Sequence, residues 1–422
     1  MATDEVQLQS ERSQRRINVK INLSHYVKFI VDTLEHAGYE AFIVGGCVRD
    51  IIRGVTPKDW DVATSATPAQ AKVLFVRTID TGIKHGTITV LLDRRHYEVT
   101  TYRVDGEYLD GRRPETVEFV SNITEDLSRR DFTMNAIAYN PNKGFVDPFG
   151  GQEDIKKDLI RCVGDPVHRF TEDALRMLRA VRFAGTTGFA VCHDVLEAIA
   201  KLKYNLANVS PERIREELGK LIMSPHPEAV ELLYTTGLLP FVLRGRNYGG
   251  DICKVVAWLK QCPPYEPMRM ALFLHWAGND CENILRNLRF DNKSIKEISL
   301  YVRMLHRPIP NERYEIKKIL RYVPQDIFEN LLTLKAIISL LESETLVDVR
   351  QEAVDIAQKG ECFTLRDLAI NGSDLAELGI PKGKGMGDIL ESLLDMVMCN
   401  PELNVKSTLI ERVREISVGY AP

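Results

Sequence analysis

The chain has 422 residues, 44% hydrophobic and 27% charged, with a formal net charge of −4. At ~100–200 residues per domain this length suggests several domains and excludes a disulfide-stapled miniature, while the composition excludes a disordered or collagen-like chain. A weakly acidic total argues against a nucleic-acid binder only on average, so the local distribution of charge decides that point.

Residues 1–20 are polar and read as a flexible N-terminus; Asp4, Glu5 and Glu11 and the lack of an apolar core argue against a secretory signal or an organelle presequence. Val27, Ile30, Val31 and Leu34 then recur at helical spacing, and Gly38 supplies a stop. Ala41–Val44 is a short apolar strand running into Gly45-Gly46. Thr67-Pro68 offers an N-cap and a first-turn proline for a helix. Thr87–Leu92 and residues 96–103 have the β-branched and aromatic content of strands, with Asp93-Arg94-Arg95 as a hairpin connection. Residues 104–114, rich in Gly, Asp and Pro, read as a mobile surface loop. The mixed region closes at Asp147-Pro148-Phe149-Gly150-Gly151.

Beyond residue 150 capped helical patterns dominate, as in Thr171 before EDALRMLRAVRF and Ser210-Pro211 before ERIREELGKLI. No further strand cluster and no fixed-period repeat stands out. The expectation is an α+β fold: a mixed-sheet head over residues 21–150, then helical segments over 151–222, 223–330 and 331–422. No stretch reaches the ~20 apolar residues of a membrane span. The eight cysteines form no CxxC pair, so they read as small buried hydrophobes of a reducing compartment, and a cytoplasmic location is expected.

The chemistry begins at Gly45-Gly46-Cys47-Val48-Arg49-Asp50, followed by Lys58-Asp59-Trp60-Asp61. Two glycines at a strand end let the backbone approach a ligand, and the start of the next helix favours phosphate. Asp59 and Asp61, if in one strand, share a face, and two adjacent carboxylates repel unless a cation lies between them. Mg²⁺ suits such a pair because it takes hard oxygen ligands and shares its shell with substrate phosphates. Ser128-Arg129-Arg130-Asp131 supplies forked donors that match phosphate oxygens.

Taken with SRRDFTMNAIAY and FTEDALRMLRAVRFA, the GGCVRD…KDWD stretch resembles the class II tRNA nucleotidyltransferases, in a superfamily shared with bacterial poly(A) polymerases. The resemblance runs from about residue 42 to about residue 221. It implies a polymerase-β-like nucleotidyltransferase head, a helical neck that selects nucleotides, a helical body and a tRNA-binding tail. The implied activity is addition of C, C and A to the tRNA 3′ end from CTP and ATP without a nucleic-acid template. It further implies two Mg²⁺ ions held by Asp59 and Asp61, with Gly46, Arg49 and Arg130 at the nucleotide. Glu98 is a candidate third carboxylate on period-two geometry; an exposed strand glutamate is the equal alternative. Within the family, a loop such as 104–114 is associated with the switch from C to A addition, and Gly82-Ile83-Lys84-His85-Gly86-Thr87 matches the CCA-adding side.

Asp173 and Arg176, three apart on the expected helix, are neighbours on one face. Cytosine and adenine both present an amino donor beside a ring-nitrogen acceptor, which an Asp/Arg pair complements; guanine and uracil present the reverse. Arg179 follows three residues on. Arg182 is nine positions from Asp173, which turns it to the opposite face of a continuous helix, although the resemblance places it at the nucleotide. Pro381-Lys382-Gly383-Lys384-Gly385-Met386-Gly387 is either an interhelical joint or a phosphate contact, and His275-Trp276 reads as core. The rival readings are an A-adding or poly(A) enzyme of the same superfamily, and an RNA-binding homologue that has lost activity.

Overall fold

The computed structural model describes residues 23–106, 117–339 and 344–418. The N-terminus of residues 1–20 and most of the 104–114 loop therefore lie outside the described residues. Contacts divide the chain into two compact units that part between Tyr248 and Gly249.

The first unit opens with helix α1 (His25–His36), whose Val27, Ile30, Val31 and Leu34 are fully buried, and then β1 (Ala41–Val44). Helix α2 (Gly46–Ile52), β2 (Asp61–Thr64) and α3 (Pro68–Leu74) follow, and a reciprocal Thr67–Gln70 capping box starts α3. Then come β3 (Thr78–Gly82), β4 (Thr87–Leu92) and β5 (Arg95–Thr101). Asp93 and Arg94 make the β4–β5 hairpin with φ of 48° and 61°, the handedness a tight hairpin turn requires. The expected strand over 96–103 is two strands: β5, and β6 (Arg103–Asp105), which pairs with β7 (Val117–Phe119). Fully buried Tyr102 stands at the break. Helix α4 (Ile123–Ser128), β8 (Ala138–Asn140) and β9 (Gly144–Val146) complete the head.

Seven strands form one mixed sheet in the order β3-β4-β5-β2-β1-β8-β9. Its one parallel pair is β2 with β5, which sets Asp61 beside Glu98. Phe42, Val44 and Ala63 pack with Tyr102, Leu127 and Ala136 in one core of this sheet.

Helices α5 (Gly151–Lys156), α6 (Pro166–Glu172), α7 (Leu175–Thr187), α8 (His193–Leu202), α9 (Pro211–Ile222), α10 (Val230–Thr235) and α11 (Leu239–Val242) complete this unit. Two strands of two residues, β10 (Leu159–Ile160) and β11 (Ala190–Val191), pair in parallel among them, correcting the expectation of no further strands. Such short segments carry no periodic signal. The helix expected to begin after Thr171 is also interrupted. Thr171 lies inside α6, Asp173 is extended at φ −142° and ψ 104°, and α7 begins at Leu175. The carboxylate of Asp173 accepts from Leu175 N at 3.0 Å, so this aspartate caps α7 in place of continuing a helix.

The second unit is helical throughout its described residues, from a helix at Ile252–Gln261 to one at Lys406–Val418. One core cluster gathers Leu375, Leu393, Leu394, Val397 and Leu409. Lys317, fully buried, donates to Met398 O at 2.8 Å and pairs with Glu361 at 2.6 Å. All eight cysteines are unbridged; Cys253 and Cys399 are exposed, against the expectation that every thiol is buried. Among the described residues no helix is long and apolar enough to cross a membrane.

Candidate active site

A cleft of about 830 Å³ opens in the first unit. It is lined by Gly46, Arg49, Asp59, Asp61, Arg130, Asp173, Arg176, Arg179 and Arg182, which are all of the expected site residues except Glu98.

Asp61 is the first residue of the central strand β2 and lines the cleft. Burial pushes its carboxyl up to about 6, the charge of Glu98 adds to that, Arg130 offsets part and Asp59 raises it further. Asp59 precedes the strand instead of sharing it, so the same-face argument for the two aspartates does not apply; an exposed bend brings Asp59 to the cleft. Glu98, exposed on β5, is the register partner of Asp61. Among the described residues no three His, Cys, Asp or Glu side chains stand together closely enough to hold a metal by themselves. The donor set still fits a hard divalent cation. Two aspartates whose mutual repulsion is relieved by a cation, beside room for phosphate oxygens and water, match the way Mg²⁺ is usually held.

Gly45 rather than Gly46 has the unusual backbone. Its φ is +80°, and a Cβ there would stand 3.0 Å from Arg130 Nη1 and 3.8 Å from Asp61 Oδ2. A side chain at this position would push Arg130 away from the aspartate. Arg130 is also held by fully buried Asp126 at 3.2 Å, and its Nε is buried without a hydrogen-bond partner. Arg49 donates to Asn135 Oδ1 at 2.8 Å and pairs with Asp50 at 2.8 Å.

The Asp173/Arg176 pair is arranged differently from the helical expectation. Because Asp173 stands in the break before α7, it meets Arg176 through a turn, with Arg176 N donating to Asp173 O at 3.0 Å. The guanidinium of Arg176 is anchored by Glu172, by Arg169 O at 3.2 Å and by Arg129 O at 3.1 Å. The carboxylate of Asp173 is gripped by both terminal nitrogens of Arg213, at 2.7 and 3.3 Å. Helical counting from Asp173 to Arg182 fails for the same reason, and Arg182 reaches the cleft by folding its long side chain over the Phe183 ring.

Arg179 donates to Asp131 at 2.7 and 2.9 Å and reaches Glu217 at 3.5 Å, while Arg182 donates to Glu217 at 2.7 Å. Burial alone would raise the Asp131 carboxyl; the charge and hydrogen bonds of Arg179 overcome this and hold it at about 2. Arg213, Glu217, Phe183 and Asn135 were absent from the expected set. For Arg213 and Glu217 the available signal was their four-residue spacing on α9, which alone marks only a polar helix face.

The Poly A polymerase head domain family matches residues 41–161, the RNA and SrmB-binding site of polymerase A matches 188–248, and tRNA nucleotidyltransferase domain 2 matches 268–413. The CCA-adding enzyme of Geobacillus thermodenitrificans is 38% identical over 404 residues, covering 91% of this chain and 96% of its own. The chain belongs to the CCA-adding enzymes. Another member, from Lactiplantibacillus plantarum, is 36% identical, with 92% of this chain and 96% of its own covered. The solved CCA-adding enzyme of Bacillus stearothermophilus in complex with CTP superposes with a TM-score of 0.79 at 32% identity, covering 93% of this chain and 98% of its own. As a CCA-adding enzyme the chain is a nucleotidyltransferase, with the mixed-sheet head and helical remainder of that fold.

Proposed function

We infer that this enzyme builds or repairs the 3′-terminal CCA of tRNA from CTP and ATP without a nucleic-acid template, and that the cleft of the first unit is where it does so. The observation that carries this reading is the cleft itself, whose lining brings together Asp59 and Asp61, the Asp173/Arg176 pair, and Arg49, Arg130, Arg179 and Arg182. In the proposed reaction the tRNA 3′-hydroxyl oxygen attacks the α-phosphorus and gives up its proton to solvent, the bond from the α-phosphorus to the bridging α–β oxygen breaks, and pyrophosphate leaves. Arg49, Arg130, Arg179 and Arg182 take the triphosphate, with the backbone at Gly46 close by; their guanidinium forks match its oxygens. Asp173 accepts from the exocyclic amino group of C or A, and Arg176 donates to the adjacent ring nitrogen. Against G or U both groups meet like partners and stay unpaired, which is how a protein surface rejects a base.

Asp59 and Asp61 would hold Mg²⁺, with Glu98 acting on Asp61 from the neighbouring strand. Bound there, two such ions would activate the attacking hydroxyl and stabilise the leaving oxygens. The head, neck, body and tail partition at residues 150, 222 and 330 belongs to this proposal, as does tRNA binding by the tail. A cytoplasmic location is proposed with it, supported by eight unbridged cysteines.

The test supplies tRNA lacking CCA, tRNA ending in CC, and unstructured RNA, each with single nucleoside triphosphates. Expected are two C additions to the first, one A to the second and little use of the third, all abolished by a chelator and restored by Mg²⁺. Long A-tails with no use of CTP would replace this reading by a poly(A) polymerase, and A addition to the CC end alone would make it an A-adding specialist. No incorporation in any arm would favour the inactive RNA-binding homologue.

A further inference from the structure

Phe183, on α7, is 5% exposed, and three guanidinium groups converge on its ring. The guanidinium carbon of Arg182 lies 3.6 Å from the ring centroid, that of Arg179 5.3 Å, and that of Arg49, from α2, 5.4 Å. The ring is itself fixed, standing edge-to-face with buried Phe132 at 5.6 Å and 81°. We propose that Phe183 is a positioning residue for the incoming nucleotide: its ring gathers Arg49, Arg179 and Arg182 into one cationic cradle for the triphosphate before that triphosphate arrives. This rests on reading the cleft as the nucleotide site.

The physical problem is the mutual repulsion of three like charges at a half-buried site. Each arginine is paired with an acid: Asp50 for Arg49, Asp131 for Arg179, and Glu217 for Arg182. Glu217 also reaches Arg179 at 3.5 Å and so ties that group to Arg182, but Asp50 holds Arg49 on α2 and Asp131 draws Arg179 the other way, so these acids do not join all three. The negative face of a ring offers the cations a shared inner contact that an aliphatic side chain of similar volume does not. Arg182 is the least compensated of the three. It donates to Glu217 through Nε, and burial together with the charge of Arg179 holds its pKa below the ordinary value despite Glu217. An arriving triphosphate supplies the missing anion. Because these contacts are made to phosphates in the bound and reacting states alike, their loss shows in KM rather than in kcat.

The experiment replaces Phe183 in the full chain with phenylalanines carrying one, two and three ring fluorines, which weaken the ring's negative face at nearly constant shape, and adds Phe183→Leu. KM for CTP and ATP, kcat, and inhibition by inorganic tripolyphosphate and by cytidine are measured on tRNA lacking its CCA end. Expected is a stepwise rise in KM for both nucleotides with fluorine number, reaching roughly five- to tenfold in Phe183→Leu. Tripolyphosphate inhibition should weaken in parallel, with kcat and cytidine inhibition unchanged. The fluorinated series keeps the test decisive if Phe183→Leu misfolds. A flat KM across that series overturns the proposal, as does an equal loss of cytidine and tripolyphosphate binding, which would mark general damage to the fold. Failure of the unmodified enzyme to use CTP would instead sink the nucleotide-site reading beneath it.

Discussion

Asp131 illustrates how a single buried side chain organises its surroundings. It is 8% exposed and accepts two hydrogen bonds from Arg179, one from Phe132 N at 2.8 Å and one from Asn135 Nδ2 at 3.4 Å. Desolvation favours its neutral form, yet the arginine charge prevails and its pKa falls from 3.8 to about 2. A carboxyl whose pKa is depressed by folding binds fewer protons in the native than in the unfolded state between those two values. The stabilisation is therefore complete above pH 4 and lost as the pH falls toward 2. The shift corresponds to about 2 kcal/mol. Asp131→Asn should be less stable than the parent by about that much at pH 6, with the difference shrinking to near zero at pH 2. Urea unfolding across this range measures it; a difference that stays constant with pH would remove the ion pair as its cause.

At the scale of elements, α7 and α9 form the wall of the cleft. Gly185 lets them approach: a Cβ there would stand 2.7 Å from Ser224 Oγ and 2.8 Å from Leu221 Cδ1. The approach puts Arg213 against Asp173 and Glu217 against Arg179 and Arg182. Arg213→Gln should therefore leave Asp173 less firmly oriented, and discrimination of CTP over UTP should fall by about tenfold with a smaller change in kcat. Unaltered selectivity would mean that the cap to Leu175 N suffices to hold Asp173. The sequence makes much of this region legible, and its failures have identifiable causes. Helix α1, strand β1 and the start of α3 were readable because local periodicity and capping specify them. The glycine pair, the aspartates, Arg130 and the Asp173/Arg176 pair were readable through motifs. The break at Asp173 was not, because an aspartate after a glutamate fits a helix's first turn as well as it fits a cap. Arg213 and Phe183 were hidden for another reason: their partners are 40 residues away, or lie partly on α2, and only tertiary packing creates their roles.

At the scale of the whole molecule, the net charge of −4 misrepresents the cleft proposed as the active site. Nine lysine and arginine side chains against five aspartates line the cleft, an excess of four positive charges in a chain whose sum is negative. The cleft residues all belong to the first of the two units, and each unit has buried hydrophobic residues of its own. A chain with two cores is not expected to unfold in one all-or-none step. Calorimetry should give a calorimetric enthalpy larger than the van't Hoff value, with two resolvable transitions. CTP should raise only one of them. At a hundredfold excess over its dissociation constant a ligand stabilises by about 2.7 kcal/mol, which for a unit of this size moves the midpoint by roughly 5–10 °C. The three tryptophans assign the transitions: Trp60 reports on the first unit, Trp258 and Trp276 on the second. In a Trp60→Phe variant the remaining fluorescence should follow the transition that CTP leaves in place. If that fluorescence instead moves with CTP, or if one two-state transition accounts for all the heat, the two units are energetically a single body, and binding in the cleft is felt along the whole chain.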